Sequence, residues 1–149
     1  MPSHGMPSQQ PGRRARASAG GSAPTTLGRL GERFAAEHLR RRGLTLIAQN
    51  LRTADGEIDM IAFDGHTLVF AEIKTRRAPM RQREIRPDQE PLHGLRASQR
   101  ARLRRLAAAW LSERPAGLPF ARAVRFDALG VLVDQSGALR RLQHVEQAW

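Results

Sequence analysis

Apolar residues along this chain follow two periods. Leu27, Leu30, Phe34 and either His38 or Leu39 recur at helical spacing, behind a Thr25 or Thr26 that can cap a helix. Arg40, Arg41 and Arg42 suit the dipole at its C-terminus, and Gly43 suits a left-handed stop. Leu44 to Leu51 then reads as a strand ending in the polar pair Asn50 and Arg52, and Thr53 to Gly56 as a turn. Glu57–Phe63 and Thr67–Thr75 are apolar runs joined by Asp64-Gly65, the strongest short-range signal for a hairpin. From Arg76 to Gly94, Pro79, Pro87 and Pro91 break any helix or central strand. A second helix is predicted from Ala97 or Ser98 to Glu113, its stripe Leu103, Leu106, Ala107, Trp110 and Leu111, stopped by Pro115 and Gly117. Val124-Arg-Phe126-Asp alternates as a strand, and Val131–Val133 with Leu139–Val145 makes a last hairpin around Gln135-Ser-Gly137. Trp149 is expected to pack. Strands and helices of both periods predict an α/β domain.

The central hairpin breaks its own pattern. Glu57 and Asp59 lie in its first strand, Glu72 and Lys74 in its second. Charges inside core-like strands are costly unless paired or bound to metal. If Gly65-His66 is the turn, paired positions sum to 131, Asp59 faces Glu72 and Glu57 faces Lys74. If Asp64-Gly65 is the turn, the sum is 129 and Asp59 lies diagonal to Glu72. Both registers send all four charges to one face. Opposed Cβ atoms are roughly 4.5–5.5 Å apart, so the two carboxylates repel unless a cation lies between them. Carboxylates with water and a carbonyl suit Mg²⁺ or Mn²⁺. Lys74 on the same face can reach a water or phosphate oxygen beside that ion. This set suits phosphodiester hydrolysis, in which the metal polarises a phosphoryl oxygen and lowers the pKa of a bound water, and the lysine offsets developing charge. The plain alternative is an ion-pair patch on a half-exposed sheet, Glu57 with Lys74 and Asp59 with an arginine.

Composition narrows the choice. Of 25 basic residues, 24 are arginine and one, Lys74, is lysine, and the two are not interchangeable where a compact ammonium is needed. The net charge is +11, which favours a polyanionic partner. Ten arginines lie from Arg76 to Arg105 against Glu84, Asp88 and Glu90, a basic loop leading into a basic helix. No cysteine is present, which excludes disulfides and cysteine-based zinc sites. No apolar run approaches the roughly 20 residues that span a bilayer, and no secretory signal is evident, so the reading is cytoplasmic with no membrane partner. Residues 1–25, rich in Pro, Gly and Ser with three arginines, read as a disordered basic tail before a single domain over 26–149. Aromatics are 5% with no tyrosine, which favours backbone and shape recognition over base reading.

Asp59 followed by Glu72-Ile-Lys74 at a strand end resembles the PD-(D/E)xK nuclease superfamily. More closely, the chain resembles the YraN family of small uncharacterised bacterial proteins, through Gly28-Arg-Leu-Gly31-Glu32-Arg-Phe-Ala35, Asn50-Leu-Arg52, Gly56-Glu57-Ile-Asp59-Met-Ile, Leu68-Val-Phe-Ala-Glu72-Ile-Lys74-Thr-Arg76 and Arg125-Phe-Asp127. The resemblance implies a restriction-endonuclease-like core, a mixed sheet flanked by helices with the site on its central antiparallel hairpin. It implies Asp59, Glu72 and Glu32 as metal ligands, Lys74 as the catalytic lysine and Glu57 as a site-proximal residue that partners Lys74 or Arg76. Arg125-Phe-Asp127 reads as structural. Gln99-Arg100 stands where family members often carry a Lys-Gln-like pair, so Arg100 replaces a phosphate-contacting lysine. Arg76, Arg77, Gln99, Arg100 and Arg104 are the expected nucleic-acid contacts. The function expected is a Mg²⁺- or Mn²⁺-dependent endonuclease acting on DNA, structured or branched DNA included. The alternative is a nucleic-acid-binding protein of nuclease-like fold without turnover. A homodimer would suit cutting of both strands.

Overall fold

The computed structural model describes residues 26–149, and the tail expected over residues 1–25, with the Thr25 cap, lies outside them. Helix α1 (Leu27–Arg41) begins where its cap predicts: the Thr26 hydroxyl accepts the Arg29 N–H at 3.3 Å. It ends in a hydrogen-bonded reversal. Gly43, at φ +85°, donates to the Arg40 carbonyl and Leu44 to that of Leu39, which satisfies the last carbonyls of the helix.

Five strands follow, β1 (Thr45–Thr53), β2 (Gly56–Phe63), β3 (Thr67–Arg77), β4 (Ala123–Val133) and β5 (Leu139–Val145), with helix α2 (Ala97–Ser112) between β3 and β4. They form one sheet in sequence order. β3 and β4 are parallel and the other neighbours antiparallel. A parallel pair needs a long crossover, and α2 lies within it.

The mixed sheet is covered on both faces, as expected. Val69, Ala71 and Ile73 of β3 pack with Ala35, Ala36 and Leu39 of α1. Leu68 and Phe70 pack with Leu103, Leu106 and Ala107 of α2. Alternate residues of β3 thus serve opposite cores, which is why it reads as a near-continuous apolar run.

β4 differs from the expectation of two short strands. Its eleven residues run unbroken, and Gly130 in their middle is buried. A Cβ there would lie 2.9 Å from Leu92 Cγ and 3.2 Å from Pro91 Cβ. The glycine therefore marks close passage of the proline-rich crossover over the sheet, not a strand break. Apart from a 3-10 turn at Pro87–Gln89, the stretch before α2 is irregular, as its prolines require.

α1 crosses β3 at Gly31. A Cβ on Gly31 would overlap the Thr75 side chain, whereas Gly28 has nothing within 4 Å. This contact sets the spacing of α1 from β3. Gly31→Ala is expected to destabilise the fold by about 1–3 kcal/mol through overpacking. Gly28→Ala should be neutral or stabilise by up to about 1 kcal/mol. Urea denaturation of the two variants checks the contrast.

Candidate functional site

The hairpin turn selects between the two registers. Asp64 Oδ1 accepts the N–H of His66 at 2.9 Å and of Thr67 at 2.6 Å, and Gly65 has φ +95°. This closes a two-residue turn with glycine first. Phe63 pairs with Leu68 and Met60 with Ala71, so paired positions sum to 131. The β2–β3 ladder ends at Met60. At the next position, Asp59 Oδ2 accepts the Ile73 N–H at 2.9 Å, so a side chain takes over a bond the backbone no longer makes.

Packing gives the cause. Ile58 belongs to the core under α2 and Met60 to the core under α1. Two residues of equal parity face opposite ways, so the pleat is interrupted at Asp59. β2 stays paired with β1 through Ile58, Glu57 and Gly56 and peels away from β3. The Asp59 carboxylate spans the gap.

The four charges therefore divide. Glu57 lies across the β1–β2 ladder from Arg52, 3.8 Å from its guanidinium. Its expected partnership with Lys74 or Arg76 does not form, because the strands have already parted. Lys74 Nζ lies 2.9 Å from Glu72 Oε1, and both side chains are partly buried, 32% and 16% exposed. Two residues apart on one strand, they share a side of the sheet.

Glu32 arrives from α1. Its Oε2 accepts the Asn50 amide at 2.8 Å. Asn50 has φ +48°, a left-handed conformation that asparagine tolerates. Sequence reasoning gave Asn50 no role beyond ending a strand, yet it positions Glu32. The available signal is a short amide side chain inside a strand. Arg29, Glu32, Asn50, Arg52 and Glu57 line a cleft of about 440 Å³ between α1 and the β1–β2 pair.

The electrostatics single out Asp59. Its carboxyl is pushed up to about 6, first by burial and then by the Glu72 charge. Glu32 adds in the same sense, while the Ile73 N–H and Lys74 oppose it. Among the described residues, no three acidic or histidine side chains stand close enough together to hold an ion as they lie. What is brought together is Asp59 beside Glu72, with Glu32 turned to Asn50. Mg²⁺ commonly takes only one or two carboxylates and keeps several waters, so a hard divalent ion fits this donor set and would relieve the repulsion that raises Asp59.

The expected nucleic-acid contacts have different surroundings. Arg76 donates to the Asp88 carbonyl at 2.9 Å, and Arg77 to those of Asp134 and Gln135 at 2.8 and 3.0 Å. Gln99 Oε1 accepts the Arg96 N–H at 3.0 Å and so caps α2. Arg100 and Arg104 instead line a pocket beside α2. Asp127 is structural, as expected. It is fully buried, accepts two bonds from Arg125 at 2.8 and 2.9 Å, and holds His144 Nε2 at 2.8 Å and the Gln147 N–H at 3.0 Å.

Comparison with known proteins gives one family. Residues 31–131 match the Uncharacterised protein family UPF0102. UPF0102 proteins of Acidothermus cellulolyticus and Beutenbergia cavernae are 43% and 42% identical to this chain, over 74% and 79% of it and 84% and 92% of their own lengths. Another from Frankia casuarinae is 39% identical over 85% of this chain and 98% of its own. The chain belongs to UPF0102, which is the YraN family.

The raised Asp59 carboxyl fixes the sign of one pH effect. The folded protein keeps this proton up to about pH 6, the unfolded chain only to about 4. The stability the proton lends is fully present below about pH 4 and is lost as pH rises through about 6. Without divalent ions, Asp59→Asn should therefore exceed wild type by on the order of 2 kcal/mol near pH 7.5 and show no gain near pH 4. Denaturation curves at the two pH values test this, and equal stabilities near pH 7.5 would contradict it.

Proposed function

We propose that this member of the UPF0102 (YraN) family is a Mg²⁺- or Mn²⁺-dependent endonuclease that hydrolyses phosphodiester bonds of nucleic acid, DNA in the first place, on a restriction-endonuclease-like core. The observation that carries the reading is the partly buried Asp59 carboxylate held beside Glu72, with Lys74 on the same strand as Glu72. An ion bound by Asp59 and Glu72 would supply Lewis acidity at a phosphoryl oxygen and a nucleophilic water near neutral pH.

The chain's own residues supply position and charge. The Ile73 N–H fixes one Asp59 oxygen and leaves the other for a ligand. Glu72 lies just past the end of the β2–β3 ladder, and its backbone is held by β4, where it pairs with Ala128. Once released from Glu72, the Lys74 ammonium offsets negative charge that develops on the phosphoryl group. Asn50 holds Glu32 in the wall of the cleft, where its carboxylate would orient a solvent molecule. The net charge of +11 draws a polyanion to this acidic centre, which would otherwise repel it.

One observation favours a second reading, nucleic-acid binding without turnover. Lys74 is already engaged by Glu72, and the three carboxylates are not gathered. Incubation with linear, forked and branched DNA in Mn²⁺ separates the two. On the first reading the wild type cuts, and Asp59→Ala and Lys74→Ala each lose about 10²–10³-fold in rate. Equal cutting by all three would point to a contaminant and end the proposal. Salt-sensitive binding with no cutting would establish the second reading.

A further inference from the structure

We infer that the pocket beside the N-terminal half of α2 binds an unpaired nucleotide of the nucleic-acid partner, its phosphate on Arg100, Arg104 and Arg105 and its base against Trp149. This rests on the nucleic-acid part of the reading above and not on cleavage. The pocket has a volume of about 370 Å³ and is lined by Ala97, Arg100, Ala101, Arg104, Arg105 and Trp149, at the small end of the roughly 300–1,000 Å³ of ligand sites. Ala97 and Ala101 lie one helical turn apart, as do Arg100 and Arg104. The alanines leave the hollow and the arginines wall it.

Trp149 cannot collapse into that hollow. Its ring stacks on Phe126 at 6.0 Å between centroids and 23° between planes, and Phe126 stacks on Phe70 at 5.8 Å and 28°. The Arg104 guanidinium lies 5.9 Å from the Phe126 ring centroid, so a cation and an indole are held side by side.

Two unpaired groups point to the ligand's chemistry. Among the described residues, the buried side-chain polar atoms without a hydrogen-bond partner are Arg100 Nε and Trp149 Nε1, and both side chains line this pocket. Both atoms are N–H donors that cannot accept. What each lacks is an acceptor oxygen, and buried donors are rarely left without one. Three guanidiniums, that of Arg100 with an unpaired N–H, and the unpaired indole N–H select an anion. A flat aromatic wall beside them selects a planar ring next to that anion. A nucleotide carries both, and aromatic stacking of this kind tolerates any base.

Arg105 also lines a second hollow with Asp55, Arg102 and Leu106. A Cβ on Gly56 would lie 2.5 Å from Arg102 Nη2, so this guanidinium covers the start of β2, three residues before Asp59. Arg105 and Arg102 thus lie between the pocket and the start of β2, with Asp55 in the same hollow. A base stacked within a duplex is closed to the indole. The partner is therefore single-stranded nucleic acid, or a duplex with a flap, fork or other unpaired segment.

The test is binding in EDTA, where cutting plays no part. The full chain is titrated with a short single-stranded oligonucleotide and with the blunt duplex of the same length, following tryptophan emission. The single strand should quench emission and bind about 10-fold more tightly than the duplex. Trp149→Phe should abolish the quench. Arg100→Gln and Arg104→Gln should each weaken binding by about 5–10-fold, and Arg104→Gln should lower the salt slope by about one. A mononucleotide should compete far better than inorganic phosphate. Equal binding of single strand and duplex, equal competition by phosphate (an adventitious ion only), or unchanged affinity in all three variants, with their fold verified by circular dichroism, would overturn the assignment. Failure of the two readings is distinguishable. An inactive protein with this binding pattern keeps the pocket and loses the nuclease. A protein that cuts DNA with an unchanged KM in Arg100→Gln keeps the nuclease and loses the pocket.

Discussion

The hydrogen bond from the Ile73 N–H to the Asp59 carboxylate, at 2.9 Å, is the interaction on which the candidate site depends. β3 is committed on one side to β4, with which it pairs along its whole length. β2 is committed on its other side to β1 down to Gly56. Between Ile58 and Met60 the pleat switches cores, and the two strands cannot stay paired beyond that point. The carboxylate bridges the parting. A charge thereby becomes part of the sheet's hydrogen bonding, next to Glu72, in partial burial. Burial and the Glu72 charge raise its pKa, against the opposing pull of the Ile73 N–H.

Much of this was legible in the sequence. Asp64-Gly65 gave the hairpin, and one of the two registers it allowed is the one observed. Glu72, Lys74 and Asp59 follow from alternation in two short strands. The limits were equally physical. Register arithmetic assumes an unbroken pleat, and the break at Asp59 comes from two cores on opposite faces competing for Ile58 and Met60. For the same reason the Glu57–Lys74 pair never forms. Val124–Asp127 and Val131–Val133 read as separate strands because nothing local tells that Leu92 and Pro91 will pass over the Gly130 between them. Asn50 read as the end of a strand and Gln99 as a nucleic-acid contact. Their roles lie in bonds to Glu32 and to the Arg96 N–H, the first of which only the tertiary fold brings about.

Arginine and lysine divide the labour in this chain. Arg76 and Arg77 reach backbone carbonyls of distant loops, and Arg125 grips the buried Asp127 with two bonds. A rigid multi-donor fork suits such ties. A share of the positive charge is therefore structural, and composition alone overstates the surface left for a polyanion. The one lysine stands where a compact, movable ammonium is useful, beside Glu72. In the proposed mechanism it neutralises Glu72 at rest and turns to the phosphoryl group when a cation takes that carboxylate.

Anomalous diffraction from crystals soaked in Mn²⁺ near pH 7.5 tests the centre most directly. If Asp59 and Glu72 hold the ion, one anomalous peak lies between their carboxylates and Lys74 has swung away from Glu72. No peak there at saturating Mn²⁺, with Lys74 still bonded to Glu72, would contradict the assignment and leave the hairpin a structural ion-pair patch.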